Sequence, residues 1–222
     1  MVGSKSIAPC GEAVRIVVGR IAARFGASHV LLALSLVLNC GCYAQEAPEA
    51  GGDRATSDAT YQYLRASRDG IGKVYLGREI SRVMGHLGAE WLERPARQQQ
   101  ERTDLLIAGL PLENDFIIAD VGAGTGYFSF PVARRVPAGK VYAVDIQPEM
   151  LAIINDRKAA LGIDNVETVQ GTVRSPGLPA STLDLAFIVD AYHEFSHPRE
   201  MGEAIVTALK PGGFLVLIEY RA

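Results

Sequence analysis

The sequence predicts an α/β protein whose C-terminal half, residues 111–222, is a mainly parallel sheet covered by helices on both faces. The first observation is a succession of five short β-type runs after Pro111: FIIADVG, KVYAVDI, NVETVQG, LDLAFIVD and GFLVLIEY. The second is that helix-compatible segments separate them, at Tyr127 to Arg135, Pro148 to Leu161 and Arg199 to Leu209. The third is that the runs are almost continuously apolar, the composition of strands buried on both faces.

The chain has 222 residues, enough for one domain of ordinary size with an appendage. Hydrophobic residues make up 48% and charged residues 21%, a globular composition. A net charge of −3 offers no electrostatic footprint for nucleic acid, so no nucleic-acid partner is expected. Cys10, Cys40 and Cys42 all precede position 45. The rest of the chain therefore has no disulfide framework, no cysteine nucleophile and no thiolate metal site.

Residues 1–44 read as a signal peptide or targeting segment. Arg15, Arg20 and Arg24 precede the apolar run VLLALSLVL from Val30 to Leu38, too short to span a bilayer but suited to a signal-peptide core. Cleavage is expected before Gln45, with export to a periplasmic or secreted location and no stable membrane span afterwards. A lipoprotein anchor on Cys42 competes, although Asn39 stands where an aliphatic residue is expected. A buried N-terminal helix of a cytoplasmic protein is the remaining reading. Residues 45–60, rich in Ala, Gly, Glu, Asp and Pro, form a linker. Residues 61–110 are expected to be helical, because Ile80, Val83, Met84, Leu87 and Trp91 recur at three- and four-residue spacing. Pro95 divides this region into two helices, and Met84 and Trp91 are read as core.

The first β-type run leads into ADVGAGTGYFSF. Gly122, Gly124 and Gly126 allow a sharp turn, close approach to a ligand, and packing of the next helix on the sheet. Their G-x-G-x-G spacing differs from the G-x-G-x-x-G of dinucleotide enzymes. Asp145 ends the second run, where a carboxylate accepts two hydrogen bonds from a ribose diol, and Ile146 is placed to pack on an adenine face. The competing role for Asp145 is an acid near the start of the helix that Pro148 begins.

DVGAGTGYFSF, VYAVDIQPEM, LDLAFIVDAYHEF and LKPGGFLVLIEY, in this order, resemble the successive motifs of class I S-adenosylmethionine-dependent methyltransferases, over about Phe116 to Tyr220. The resemblance implies a three-layer Rossmann-like sandwich with strand order 3-2-1-4-5, preceded by N-terminal helices that act as a lid. It implies S-adenosyl-L-methionine as cofactor, with Gly122, Gly124 and Gly126 along its methionine moiety. Asp120 would orient the amino group, Asp145 hold the ribose hydroxyls, Ile146 flank the adenine, and Asp190 stand beside the methyl-transfer site. Where many relatives carry an acidic residue after the third strand, this chain has Gly171 and Thr172, so backbone atoms would replace that contact. The family's last hairpin has no counterpart after Tyr220, which would leave the fifth strand as an exposed apolar edge unless something covers it.

YHEFSHP, from Tyr192 to Pro198, contains the His-Glu-x-x-His spacing of zinc proteases. Pro198 disfavours the helix that such a site needs, and the fourth strand runs straight into the stretch, so no metal is expected there, although Glu219 near the end of the fifth strand could approach His193 in space. On a loop after the fourth strand, His193 has the intrinsic pKa of a general base and Glu194 stands beside it to orient it or to bind a cationic substrate. The functional expectation is methyl transfer to a small molecule at O, N or C, with His193 and Glu194 as catalytic candidates. The alternatives are a non-catalytic cofactor-binding module and a zinc hydrolase using His193, Glu194 and His197.

Overall fold

The computed structural model describes residues 14–20 and 60–220. The chain forms β1 (Val14–Arg20), β2 (Tyr61–Tyr63), β3 (Gly70–Tyr75) and β4 (Arg78–Ser81), then the short helices α1 (Ala89–Leu92), α2 (Arg97–Glu101) and α3 (Thr103–Gly109). The alternating part follows as β5 (Ile117–Val121), α4 (Ser129–Arg135), β6 (Lys140–Asp145), α5 (Pro148–Leu161), β7 (Val166–Gln170), β8 (Leu183–Val189), α6 (Pro198–Ala208) and β9 (Leu209–Tyr220).

The large sheet has the order β1-β9-β8-β5-β6-β7. Its five strands β5 to β9 are mutually parallel, and in order of appearance they stand 3-2-1-4-5 across the sheet, as expected. The bounds of α5 come from local chemistry. In α5, Pro148 supplies the fixed φ of a first turn and Gly162 closes the C-terminus at φ +60°. One face of the sheet packs Ile118, Leu185, Phe187 and Ile218 against Phe130, Val132 and Ile154 of α4 and α5. The other face packs Ala119, Val121, Ala186 and Ile188 against Met201 and Ile205 of α6. The two buried faces account for the continuously apolar runs.

Two departures from expectation are structural. Residues 61–81 are not helical but form a three-stranded antiparallel sheet, β2-β3-β4. Tyr75 pairs with Arg78 across Leu76 and Gly77, both at positive φ (49° and 80°), the geometry of a two-residue hairpin turn of the right twist. The apparent helical stripe fails for the same reason. Ile80 is fully buried from a strand, whereas Val83, Leu87 and Trp91 are exposed to 44%, 90% and 52%. After a 3₁₀ turn at His86–Gly88, α-helix begins at Ala89, and residues 89–109 hold the three short helices α1 to α3.

The second departure concerns the sheet edge. Val14–Arg20, within the segment read as a targeting peptide, lies antiparallel to β9 in register from Val14 opposite Tyr220 to Arg20 opposite Phe214. The edge of β9 is therefore covered by the chain's own N-terminal strand. Val30 to Leu38, the cleavage position after Ala44, Cys42 and the linker up to residue 59 lie outside the described residues. Among the described residues no helix is long and apolar enough to cross a membrane.

Candidate active site

A cavity of about 320 Å³ opens at the carboxyl ends of β5, β6 and β8, where an open α/β sheet binds its ligands. Asp120, Gly122, Gly124, Asp145, Ile146, Gly171, Thr172, Asp190, His193 and Glu194 all line it. Of the expected site residues, Gly126 does not. A Cβ on Gly126 would stand 2.8 Å from Phe130 Cε2 and 3.2 Å from Ile154 Cγ1, so this glycine lets α4 and α5 close on the turn. It is a packing glycine behind the cavity wall rather than part of the wall.

Gly122 forms the floor. It has φ +82°, and an added Cβ would lie 2.6 Å from Ala191 Cβ, so a side chain is excluded by both conformation and space. The turn places Gly124 N–H so that it donates to Asp145 Oδ2 at 2.9 Å, while Gln147 N–H donates to Oδ1 at 2.9 Å. Each carboxylate oxygen thus keeps acceptor capacity for a further donor. Asp145 is 7% exposed, and burial pushes its carboxyl above the usual range against these backbone bonds. Ile146, next along, is partly exposed at the cavity wall.

Asp120, at the end of β5, is 2% exposed and accepts a hydrogen bond from Ser129 Oγ at 2.6 Å. Burial pushes its carboxyl up to about 7; the Ser129 bond opposes that shift, Asp145 adds to it and Arg97 opposes it. Asp190 has φ +50° and its N–H donates to Ile218 C=O at 2.8 Å, which fixes the turn out of β8 beside β9. Burial raises its carboxyl as well, with His193 acting in the opposite direction.

YHEFSHP does not form one helix. Tyr192–Glu194 is a single 3₁₀ turn, and α6 starts only at Pro198. His197 turns away from the catalytic candidates: its Nδ1 lies 3.0 Å from Ser196 Oγ, and its ring meets the Tyr61 ring edge-on at 6.1 Å. The two histidines are therefore not a ligand pair, because a loop separates them instead of a helical turn. His193 Nδ1 lies 2.9 Å from Glu219 Oε2, and its Nε2 lies 3.8 Å from Glu194 Oε1. Glu194 instead accepts from Met84 N–H at 3.0 Å, which ties it to the segment after β4. Among the described residues, Asp190, His193 and Glu219 each bring a ligand-type atom within 4.8 Å of the others.

The small sheet braces this loop from outside. Lys73 Nζ donates to Ser196 C=O at 2.7 Å and sits 3.8 Å from the Tyr61 ring centre. Tyr61 OH donates to the Glu200 carboxylate, and the Arg78 guanidinium donates to His193 C=O at 3.2 Å. Gln147 holds the segment after β4: its Nε2 donates to Met84 C=O at 3.0 Å and its Oε1 accepts from His86 N–H at 2.8 Å. Glu93 accepts from Thr125 Oγ1 and from Arg157, joining α1 to the glycine turn.

Met84 and Trp91, read from sequence as core, line the cavity with Val83 and Leu92. Sequence reasoning also missed Gln147 and Arg97. Gln147 had a signal, since it stands between Asp145 and the helix-starting Pro148. Arg97 had none inside an Arg- and Gln-rich stretch. It is a buried lining residue, held by Glu101 Oε2 at 2.8 Å and Leu92 C=O at 2.8 Å, with its guanidinium 4.4 Å from the Tyr127 ring centre.

Residues 118–213 match a family described as a methyltransferase domain. The chain is 30% identical over 105 residues to the ubiquinone/menaquinone biosynthesis C-methyltransferase UbiE of Pseudomonas putida (strain GB-1), and equally to that of Pseudomonas syringae pv. tomato. Each alignment covers 46% of this chain and 41% of the relative, so the chain spans less than half the length of the curated relatives it matches. Among solved structures, a SAM dependent methyltransferase from Aquifex aeolicus superposes with a TM-score of 0.56 at 28% identity, covering 62% of this chain and 73% of that one. The [4+2]-cyclase SpnF superposes with a TM-score of 0.50 at 28% identity, over 54% of this chain and 44% of that one.

Proposed function

From the class I S-adenosylmethionine-dependent methyltransferase domain that this chain carries, we propose that the protein transfers the methyl group of S-adenosylmethionine to a small, largely apolar acceptor. The observation that carries this reading is the Gly122 to Asp145 cradle. A buried carboxylate with one backbone donor on each oxygen faces a floor that admits no Cβ, which fits a ribose diol beside a close-lying ligand backbone. Asp120 would meet the ammonium of the methionine moiety, Ile146 the adenine, and Gly171 and Thr172 the far edge of the base. The bound cofactor supplies an electrophilic methyl on a sulfonium. The chain's own residues align an acceptor with it, exclude water and receive a proton.

The acceptor would sit between the lid and the loop after β8, against Val83, Met84, Trp91 and Phe195, beside Asp190 and His193. This lining favours an apolar body over a charged one. The relatives named as C-methyltransferases favour carbon over oxygen or nitrogen as the atom methylated. His193 is the candidate base for acceptors that must lose a proton. Calorimetric titration with S-adenosylmethionine, S-adenosylhomocysteine and NAD tests the reading. The first two should bind and NAD should not; binding of NAD alone, or of none, would overturn it. Similarity to a cyclase on the same fold keeps a second reading in play, a cofactor-binding protein without methyl turnover. Transfer of a labelled methyl group into a small-molecule extract separates the two.

A further inference from the structure

Glu219 stands out in β9 because it is a carboxylate in the run LVLIEY, otherwise apolar up to Tyr220. Parallel pairing of β8 and β9 sets Val189 beside Ile218, and Asp190 N–H donates to Ile218 C=O, so the two strand ends reach the cavity rim together. By the two-residue period Glu219 shares a face with Leu215 and Leu217, over which the loop from Asp190 to His197 folds. There both of its oxygens engage one residue. Oε1 accepts from the His193 backbone N–H at 3.2 Å, and Oε2 lies 2.9 Å from His193 Nδ1.

An ionised carboxylate only accepts hydrogen bonds, so the Nδ1 facing it carries the hydrogen. In the neutral ring Nε2 then holds the lone pair. Its nearest charged neighbour, Glu194 Oε1, is beyond hydrogen-bond distance at 3.8 Å and is engaged with the Met84 N–H. His193 lines the cavity, so Nε2 is the ring nitrogen left for a ligand.

We propose that Glu219 is the positioning residue for His193, fixing the tautomer with hydrogen on Nδ1 and presenting Nε2 as the base toward the acceptor. This rests on the reading of the cavity as a methyl-transfer site. In the balanced step the acceptor's electron pair forms the bond to the methyl carbon, and the methyl–sulfur bond breaks with its pair remaining on sulfur. The acceptor's proton passes to Nε2 and from there to water. The imidazolium so formed is stabilised by Glu219, with Asp190 Oδ1 at 3.7 Å from Nδ1 as a second negative neighbour.

The charged groups facing His193 are Glu219 from β9, Asp190 and Glu194 from its own loop, and Arg78 from β4, which binds its carbonyl. The Glu219 bond is the largest influence holding the ring's pKa above the ordinary histidine value; desolvation opposes it, and the charges of Glu219, Asp190 and Glu194 support it. Base competence is therefore lost as pH falls through that raised value. Replacing Glu219 by Gln should move the loss to lower pH. Glutamine offers one acceptor and one donor group, so it cannot satisfy both His193 donors.

The test uses nitrogen-15 NMR of histidine-labelled full-length protein, wild type and Glu219→Gln, across pH, with the His193 ring assigned from a His193→Gln sample. Calorimetry with S-adenosylhomocysteine runs alongside. The expected wild-type ring is protonated on Nδ1 when neutral. In E219Q it shifts toward hydrogen on Nε2 and its titration midpoint falls, while S-adenosylhomocysteine affinity stays within about twofold. Hydrogen on Nε2 in the wild type, or an unchanged ring in an E219Q that still binds S-adenosylhomocysteine, overturns the proposal. Because the wild-type tautomer is read directly, a misfolded E219Q does not rescue it. Absence of S-adenosylhomocysteine binding in the wild type would instead sink the methyltransferase reading itself.

Discussion

Ser129 Oγ donates a 2.6 Å hydrogen bond to Asp120 Oδ2, joining the first turn of α4 to the end of β5 beneath the glycine turn. The bond does not offset burial, which keeps the Asp120 carboxyl up at about 7. The folded protein then holds a proton that the unfolded chain releases between the ordinary aspartate range and about pH 7. Stability attributable to this group falls as pH rises through that window and levels off above it. Asp120→Asn should therefore raise the melting temperature at about pH 8 and leave it nearly unchanged at about pH 4. Equal melting curves at the higher pH would show that the carboxyl is ionised without cost.

The same titration should act on binding with the opposite sign. A ligand ammonium selects the ionised carboxyl, so wild-type affinity for S-adenosylmethionine should rise between about pH 6 and about pH 8, with proton release on binding. D120N should bind more weakly and lose this pH dependence. Titration in buffers of different ionisation enthalpy measures the released proton directly.

Removing the Asp145 carboxylate should weaken S-adenosylhomocysteine binding by about 1–3 kcal/mol, the scale of hydrogen bonds to a charged acceptor. It also leaves Gly124 N–H and Gln147 N–H without their partner. Asp145→Asn separates the effects, since it retains one acceptor. An affinity unchanged in both variants would refute the ribose assignment.

Gly122 and Gly162 both have positive φ, but only Gly122 has a neighbour where a Cβ would go. Gly162→Ala should cost about 1 kcal/mol of stability for backbone strain alone. Gly122→Ala should cost more and should also abolish S-adenosylhomocysteine binding, because Ala191 must shift into the cavity floor. Thermal melts and calorimetry on the pair decide whether the floor is as tight as its 2.6 Å contact indicates.

Gln147 bonds to Met84 and His86, in the segment expected to act as a lid, and, through its own N–H, to Asp145. Gln147→Ala should free the lid backbone while keeping the Asp145 contact. Amide exchange should rise at His86, whose N–H loses its acceptor, and affinity should fall by several-fold because lid closure then costs more order. Protection at His86 unchanged from wild type would place the lid's stability elsewhere.

β1 satisfies the outer edge of β9 over seven paired positions, from Val14 to Arg20. A chain lacking residues 1–20 should expose that edge, lower the melting temperature and self-associate, since an unpaired apolar edge templates further strands. Sedimentation of the two proteins tests this. Cleavage before Gln45 would have the same consequence, so intact mass of the folded protein tells whether the N-terminal segment stays with the sheet.

Much of the fold was legible because its causes are local or periodic. Each strand of a doubly covered sheet carries a continuous apolar run, and α5 is bounded by its own Pro148 and Gly162. Gly122, Gly124 and Asp145 were legible because a close backbone approach and a strand-end carboxylate have residue types of their own. The small sheet was not legible. GREISRVMGHLGAEW satisfies helical spacing by coincidence, and only pairing with β3 shows that Ile80 belongs to a strand.

The sequence by itself determined the alternating domain, its strand order through the family motifs, and the cavity's glycine and carboxylate cradle. Only the tertiary structure decided that Val14–Arg20 closes the β9 edge, that Gly126 packs helices rather than lining the cavity, and that His193 answers to Glu219 instead of His197. The physical reason is separation along the chain. Glu219 and His193 are 26 residues apart, and Arg78 meets the carbonyl of His193 across 115; the strand order allows Glu219 to approach His193, but no local pattern encodes the 2.9 Å contact or the reach of Arg78. They exist because parallel strand ends and a folded-over loop share one rim of the sheet, a relationship that packing alone establishes.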